Sequence, residues 1–138
     1  ASGYVGPGAA LVIGLVAGFV CFFATHGLKR VLKVDDSLDV FPVHGVGGML
    51  GTFFAGVFAS SALGVFSGQG YAEGMSMGRQ VSVQLLGIGA TIAYTAVLTW
   101  GLLKLVDLVA GLRVTSEHET MGLDTTQHNE RGYDLQSL

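Results

Sequence analysis

Seventeen formal charges are spread over this chain of 138 residues, and three long blocks hold none of them. Residues 1–28, 40–72 and 80–103 contain no Asp, Glu, Lys or Arg. A helix rising about 1.5 Å per residue needs roughly 20 residues to cross about 30 Å of hydrocarbon. Each block exceeds that length. The charged fraction of 12% is about half that of a water-soluble domain, which excludes the ordinary globular class. Cysteine is nearly absent: Cys21 alone forms no internal disulfide, and its apolar surroundings read as those of a small buried hydrophobe. Net charge is −3, and the few basic residues form no dense face, so nucleic acid is not an expected partner. The first block is not expected to be a secretory leader, because no basic flank precedes it and no small-residue cleavage site follows it before Lys29 and Arg30. No initiating Met is present either, so Ala1 is expected to follow a cut in a longer chain.

What fills the space left by charge is apolar surface and glycine. Half the residues are hydrophobic, 22 are glycine, and mean hydropathy is +0.57. The expected fold is all-α and polytopic, with membrane helices at about 7–28, 40–66 and 79–112 making up residues 1–112, and a tail over 113–138. Gly14 and Gly18 give the first span the small-xxx-small spacing that lets helices approach closely. The glycine-rich "SGQGYAEGMSMG" reads as the loop before the third span. Three spans put the two ends of the chain on opposite sides. Lys29, Arg30, Lys33, Lys104, Arg113 and Arg131 then share one side and Arg79 alone lies on the other, so the positive-inside rule makes the former cytoplasmic. From Thr115 onward the polar, acidic tail lacks apolar periodicity and is expected to be flexible or to fold only on a partner. Three helices bury too little of one another to enclose a pathway, and their small-residue faces want further helices.

The stretch "DVFPVHGVGGMLG" sets one imidazole inside lipid-like sequence. Asp36, Ser37 and Asp39 precede the second span and can cap its free N–H groups, with Asp39 the preferred cap, and Pro42 fits only a first turn. His44 then lies about one turn inside. Helical spacing brings Val40, His44, Gly47, Gly48 and Gly51 onto one face. Those glycines either admit a neighbouring helix or leave open space beside the ring. An ionisable residue within a span usually faces a cavity and marks a substrate or proton path, while a neutral histidine bonded to a neighbouring helix is the structural alternative.

Other features carry plainer readings. Lys104 and Asp107 suit an i, i+3 ion pair, and Tyr94 and Trp100 suit packing or interfacial anchoring. "GVGGMLG" lacks the third glycine of a nucleotide fingerprint and follows no strand. Glu117, His118, Glu119, Asp124 and His128 match no compact metal spacing, so no metal is expected.

Taken in order, "DDSLDVFPVHGVGGMLGTFFAGVFA", "YAEG", "KLVDLVAGLRV" and the tail pattern "E…GLD…H-x-E" resemble the C-terminal part of ammonium transporters of the Amt/Mep/Rhesus family. The resemblance covers essentially the whole chain. It implies a transporter rather than an enzyme, no cofactor, a bundle of eleven helices of which these are the last three, a homotrimer, and a narrow hydrophobic pore for ammonium or ammonia in each subunit. By its place in "D-x-x-x-x-H-G", His44 matches the second of two pore histidines that pass hydrogen bonds or a proton, Val40 an apolar pore-wall position, and Asp39 the acid that opens the helix. The first histidine, the aromatic gate and the outer cation site would belong to preceding helices. A multi-pass inner (plasma) membrane location is implied, with the tail in the cytoplasm. Arg113, Asp124, His128 and Glu130 match a tail that in bacterial members helps dock a trimeric PII nitrogen-signalling protein. "HNE" stands where many members have "HGE", and Asn129 tolerates the left-handed backbone such a turn needs. An ammonium sensor that signals through this tail is the competing reading.

Overall fold

The computed structural model describes residues 3–132 and is all-helical among them. The chain divides into two compact units, Ala1–Ala93 and Tyr94–Leu138. Three helices are long and apolar enough to cross a membrane, over Pro7–Val31, Phe41–Phe58 and Met77–Val109.

The first unit is built on a helical hairpin. Helix α1 spans Pro7–His26 with Pro7 in its first turn, where the missing N–H is no loss, and it runs on through a π turn at Gly27–Val31. A second π turn, Phe41–Val46, leads into α2 at Gly47–Phe58. The two helices are antiparallel. Cys21, late in α1, meets the start of α2, while Gly8, early in α1, meets the chain beyond its end. Leu11, Leu15, Phe19 and Phe22 remain exposed on α1, as expected of a segment apolar all round. Buried side chains are few among the described residues: Ala9, Ala59, Ser60 and Pro42.

Beyond α2 the chain turns sharply. Extension of this helix to residue 66 was expected, but it ends at Phe58, and only a short 3-10 turn forms at Gly64–Phe66. The serines explain the difference by offering the backbone local partners that compete with helix. Ser60 Oγ accepts the Ala62 N–H at 3.2 Å, and Ser67 Oγ accepts the Leu63 N–H at 2.9 Å while donating to the Ser61 carbonyl at 3.0 Å. Tyr71 then reaches back to the freed end of α2. Its hydroxyl lies 2.7 and 2.9 Å from the Gly56 and Val57 carbonyls, which share its one proton.

Helix α3 covers Met77–Val109 and contains no buried residue. Where it passes α2, Gly56 makes room: a Cβ there would lie 3.0 Å from Gln84 Cγ and 3.4 Å from Val81 Cα.

The second unit includes the tail, which carries two short helices. Gly111, at φ 75, follows the last turn of α3. Thr115 caps α4 (Ser116–Met121) by accepting the His118 N–H at 3.3 Å. Gly122, at φ 95, separates α4 from α5 (Leu123–Gln127). Gln127 Nε2 sits 3.2 Å from His118 Nδ1, and Arg113 forks onto the Glu119 carboxylate, with Nη2 to Oε2 at 3.0 Å. That contact lowers the Glu119 pKa below the usual carboxylate range.

Candidate functional site

The connection between α1 and α2 determines how His44 is presented. Asp36 opens a tight turn, its carbonyl accepting the Asp39 N–H at 3.3 Å. Its carboxylate then takes two free amides of the next helix: Val40 N–H at 2.9 Å on Oδ1 and Phe41 N–H at 2.8 Å on Oδ2. The N-terminal carboxylate cap is therefore Asp36, which corrects the expectation of Asp39. These bonds from Phe41 and Val40, with the nearby Lys29 charge, hold the Asp36 carboxyl below its usual pKa, against a smaller opposing effect of desolvation.

Asp39 does something else. Its backbone sits at φ 55, in the left-handed region that asparagine and aspartate tolerate better than most residues. Its carbonyl accepts the Val43 N–H at 3.0 Å, closing the first turn before His44. Its carboxylate reaches across to α1, where Lys29 Nζ lies 2.8 Å from Oδ1. That oxygen is shielded from water, and its contact with Lys29 is charge against charge rather than a well-angled hydrogen bond.

His44 lies in the π turn, a winding found often at functional positions. The residue is exposed, and no hydrogen bond to its ring forms among the described residues. Val40 is also exposed, at 52%, one turn earlier. The glycines divide between the two roles open to them. Gly47 packs toward α1, where an added Cβ would meet Cys21 Sγ at 3.3 Å, so it is a helix-contact glycine rather than part of the open face. Cys21 is half-buried at that contact. Gly48 and Gly51 face open space, with nothing within 4 Å of an added Cβ. His44, Gly48 and Gly51 thus remain as a face with one polar ring and room beside it.

In the tail, Asp124, His128 and Glu130 fall in one turn. The His128 N–H donates to the Leu123 carbonyl at 3.4 Å and the Glu130 N–H to the Asp124 carbonyl at 2.9 Å. Asn129 adopts φ 52, the left-handed geometry its side chain tolerates. Asp124, Glu130, Arg131 and Gly132 line an open hollow of about 380 Å³. Arg113 is not in that hollow's lining and pairs with Glu119 instead.

Sequence reasoning missed the Lys29–Asp39 pair, the Tyr71 contact with α2 and the Asp36 cap as the dominant one. The last had a signal, since "DSLD" is a compact four-residue turn that puts Asp36 just ahead of Val40 and Phe41.

Comparison with known proteins closes the question of family. The family model described as "Ammonium Transporter Family" matches residues 1–133. An ammonium transporter of Bacillus subtilis is 36% identical over 133 residues, covering 96% of this chain and 32% of that protein. A putative ammonium transporter of Methanothermobacter thermautotrophicus is 43% identical over 135 residues, covering 98% and 33%. Ammonium transporter Amt1 of Archaeoglobus fulgidus is 40% identical over 134 residues, covering 96% and 33%. The chain thus spans about a third of the length of these relatives. Matched along nearly all of its own length, it belongs to the Ammonium Transporter Family.

Proposed function

We propose that this chain forms part of a transport channel for ammonium or ammonia, with His44 lining the path. The observation that carries the reading is the exposed His44 beside the open positions Gly48 and Gly51, in a helix apolar enough to lie in a membrane. An uncharged guest stripped of water there needs a hydrogen-bond partner, because leaving its polar groups unsatisfied costs several kcal/mol. A neutral imidazole supplies both a donor and an acceptor and can hand a proton on. Transport rather than catalysis is the activity the named relatives support. Val40, exposed one turn before His44, is the apolar wall of the same path.

In this reading preceding helices of the same protein supply the other walls and the first pore histidine, and a homotrimer is the assembly carried over from the family resemblance. The membrane is the inner (plasma) membrane. A cytoplasmic tail, with the start of this chain outside, is supported by six of the seven basic residues falling on one side of three spans under the positive-inside rule. The turn of Asp124, His128 and Glu130, with Arg113 nearby in sequence, is offered as a surface for a PII-type signalling protein. The test is His44→Leu in the full-length protein, read as methylammonium uptake or ammonium-dependent current. Rate or selectivity is expected to change by about tenfold or more. Unchanged transport would overturn the assignment.

A sensor that signals through the tail is the second reading, favoured by the ordered turn and hollow at Asp124–Gly132. Liposome flux measured beside tail-dependent partner binding separates the two. A binding response without flux selects the sensor.

A further inference from the structure

The two π turns of the hairpin lie at the same end of it, one closing α1 and one opening α2, joined by residues 32–40. A π turn departs from the α-helical ladder and so re-aims the side chains that follow it. Two such departures at one end of a hairpin need something to fix where the second begins.

We propose that the Lys29–Asp39 ion pair is a positioning latch that ties the π turn of α1 to the start of the helix carrying His44 and thereby fixes where His44 stands in the transport path. The pair spans the hairpin: Lys29 lies within Gly27–Val31, and Asp39 immediately precedes the helix that carries His44. Asp39 transmits the constraint through its backbone. Its left-handed conformation aims its carbonyl at the Val43 N–H, one residue short of His44. Asp36 alone does not fix this geometry, since its carboxylate holds the amides of Val40 and Phe41 without reaching α1. Lys29 is the link to the other helix.

Side-chain exposures of 39% for Lys29 and 31% for Asp39 mean that the pair adds little to overall stability. Its effect is on position, and a pair of this exposure biases a local equilibrium by about fivefold. The inference rests on the transport reading, so its test has one readout that depends on flux and one that does not.

In full-length protein in proteoliposomes, Asp39→Asn keeps a residue suited to left-handed backbone and removes only the charge. Lys29→Gln removes the other charge, and Lys29→Arg retains it. Each charge-removing variant is expected to lower methylammonium flux by about fivefold with membrane abundance and thermal midpoint unchanged. The double variant is expected to lose no more than either single one, and Lys29→Arg to keep most of the flux. The nitrogen chemical shifts of the His44 ring, read by NMR on histidine-labelled protein, are expected to move in both charge-removing variants and stay in Lys29→Arg.

Additive losses, or unmoved ring shifts in both charge-removing variants, overturn the latch. If the wild-type protein carries no flux, the transport reading fails by itself, and the ring shifts alone decide whether the pair positions His44. Wild-type flux with His44→Leu impaired but both pair variants normal sinks the latch and spares the transport reading.

Discussion

The two ends of α2 use glycine for opposite purposes. Beyond its C-terminal end a Cβ on Gly68 would lie 2.2 Å from the Tyr4 carbonyl, 2.4 Å from that of Phe58 and 2.8 Å from Ala59 Cα. Gly6 and Gly8 are as confined, at 2.4 Å from the Ser67 carbonyl and 2.6 Å from that of Val65. Backbone there touches backbone, and the Gly68 and Gly70 N–H groups bond to the Ser60 and Ala59 carbonyls at 2.8 and 2.7 Å. At the N-terminal end, Gly48 and Gly51 touch nothing. One set of glycines allows contact within this chain and the other meets no neighbour in it, so the glycines of one helix do not share a single packing role.

The largest effect expected of a single change follows from the crowded end. Gly68→Ala must displace two stretches of backbone at once and is expected to cost about 3 kcal/mol or more, read as a lowered thermal midpoint and lost membrane abundance. Gly48→Ala is the control. It adds a methyl group to open space in a helix and is expected to be neutral or stabilising by up to about 1 kcal/mol. Equal tolerance of the two changes would erase the distinction between the ends. Next in size is Gly51→Leu, which fills the open face without meeting a neighbour. Its thermal midpoint is expected to hold while methylammonium flux drops by about tenfold, because passage depends on the width left beside His44. Loss of folding with loss of flux would instead assign Gly51 to packing against a helix outside this chain.

How far the sequence discloses these roles depends on the range of the interaction. Absence of charge over long blocks is a bulk property of the helix and its solvent, so the three spans are legible without any knowledge of neighbours. Asn129 is legible too, since left-handed backbone is a local preference, and it appears at φ 52. The end of α2 is not, because Ser60 and Ser67 stop the helix through bonds that hydropathy does not register. Nor is the division between Gly47 and Gly48 legible: helical spacing groups them, and only the approach of Cys21 from α1 separates them. The partner of Asp39 has the same origin, since Lys29 comes from the other side of the hairpin, whereas the Asp36 cap is a local feature of "DSLD".

Tyr71 sharpens the comparison from the crowded side. Its hydroxyl is the polar group bridging "YAEG" to the last carbonyls of α2, and Tyr71→Phe keeps the ring while removing that donor. The expected cost is about 1 kcal/mol of stability, the usual net worth of one hydrogen bond. Flux per folded molecule is expected to be unchanged, because the cap lies at the opposite end of α2 from His44. A change in flux at constant abundance would mean that the two ends are coupled through the helix.

The smallest effect belongs to the open end and depends on pH. Bonds from Phe41 and Val40 and the charge of Lys29 lower the Asp36 pKa from its ordinary value of 3.8. A carboxyl whose folded pKa is lowered contributes its stability in full above the unfolded value and loses it as pH falls through the folded one. Wild-type protein and Asp36→Asn are therefore expected to differ in thermal midpoint at neutral pH, with the difference closing below about pH 4. The crowded loop between Ala59 and Gly70 contains no titrating carboxylate and is held by backbone and hydroxyl bonds, so its packing is expected to survive the same acid range. Hydrogen exchange would then locate acid-induced opening near Val40 and Phe41 and leave the Gly68 and Gly70 amides protected. Opening at Gly68 first would reverse the order of the two ends and remove Asp36 as the group that responds to acid.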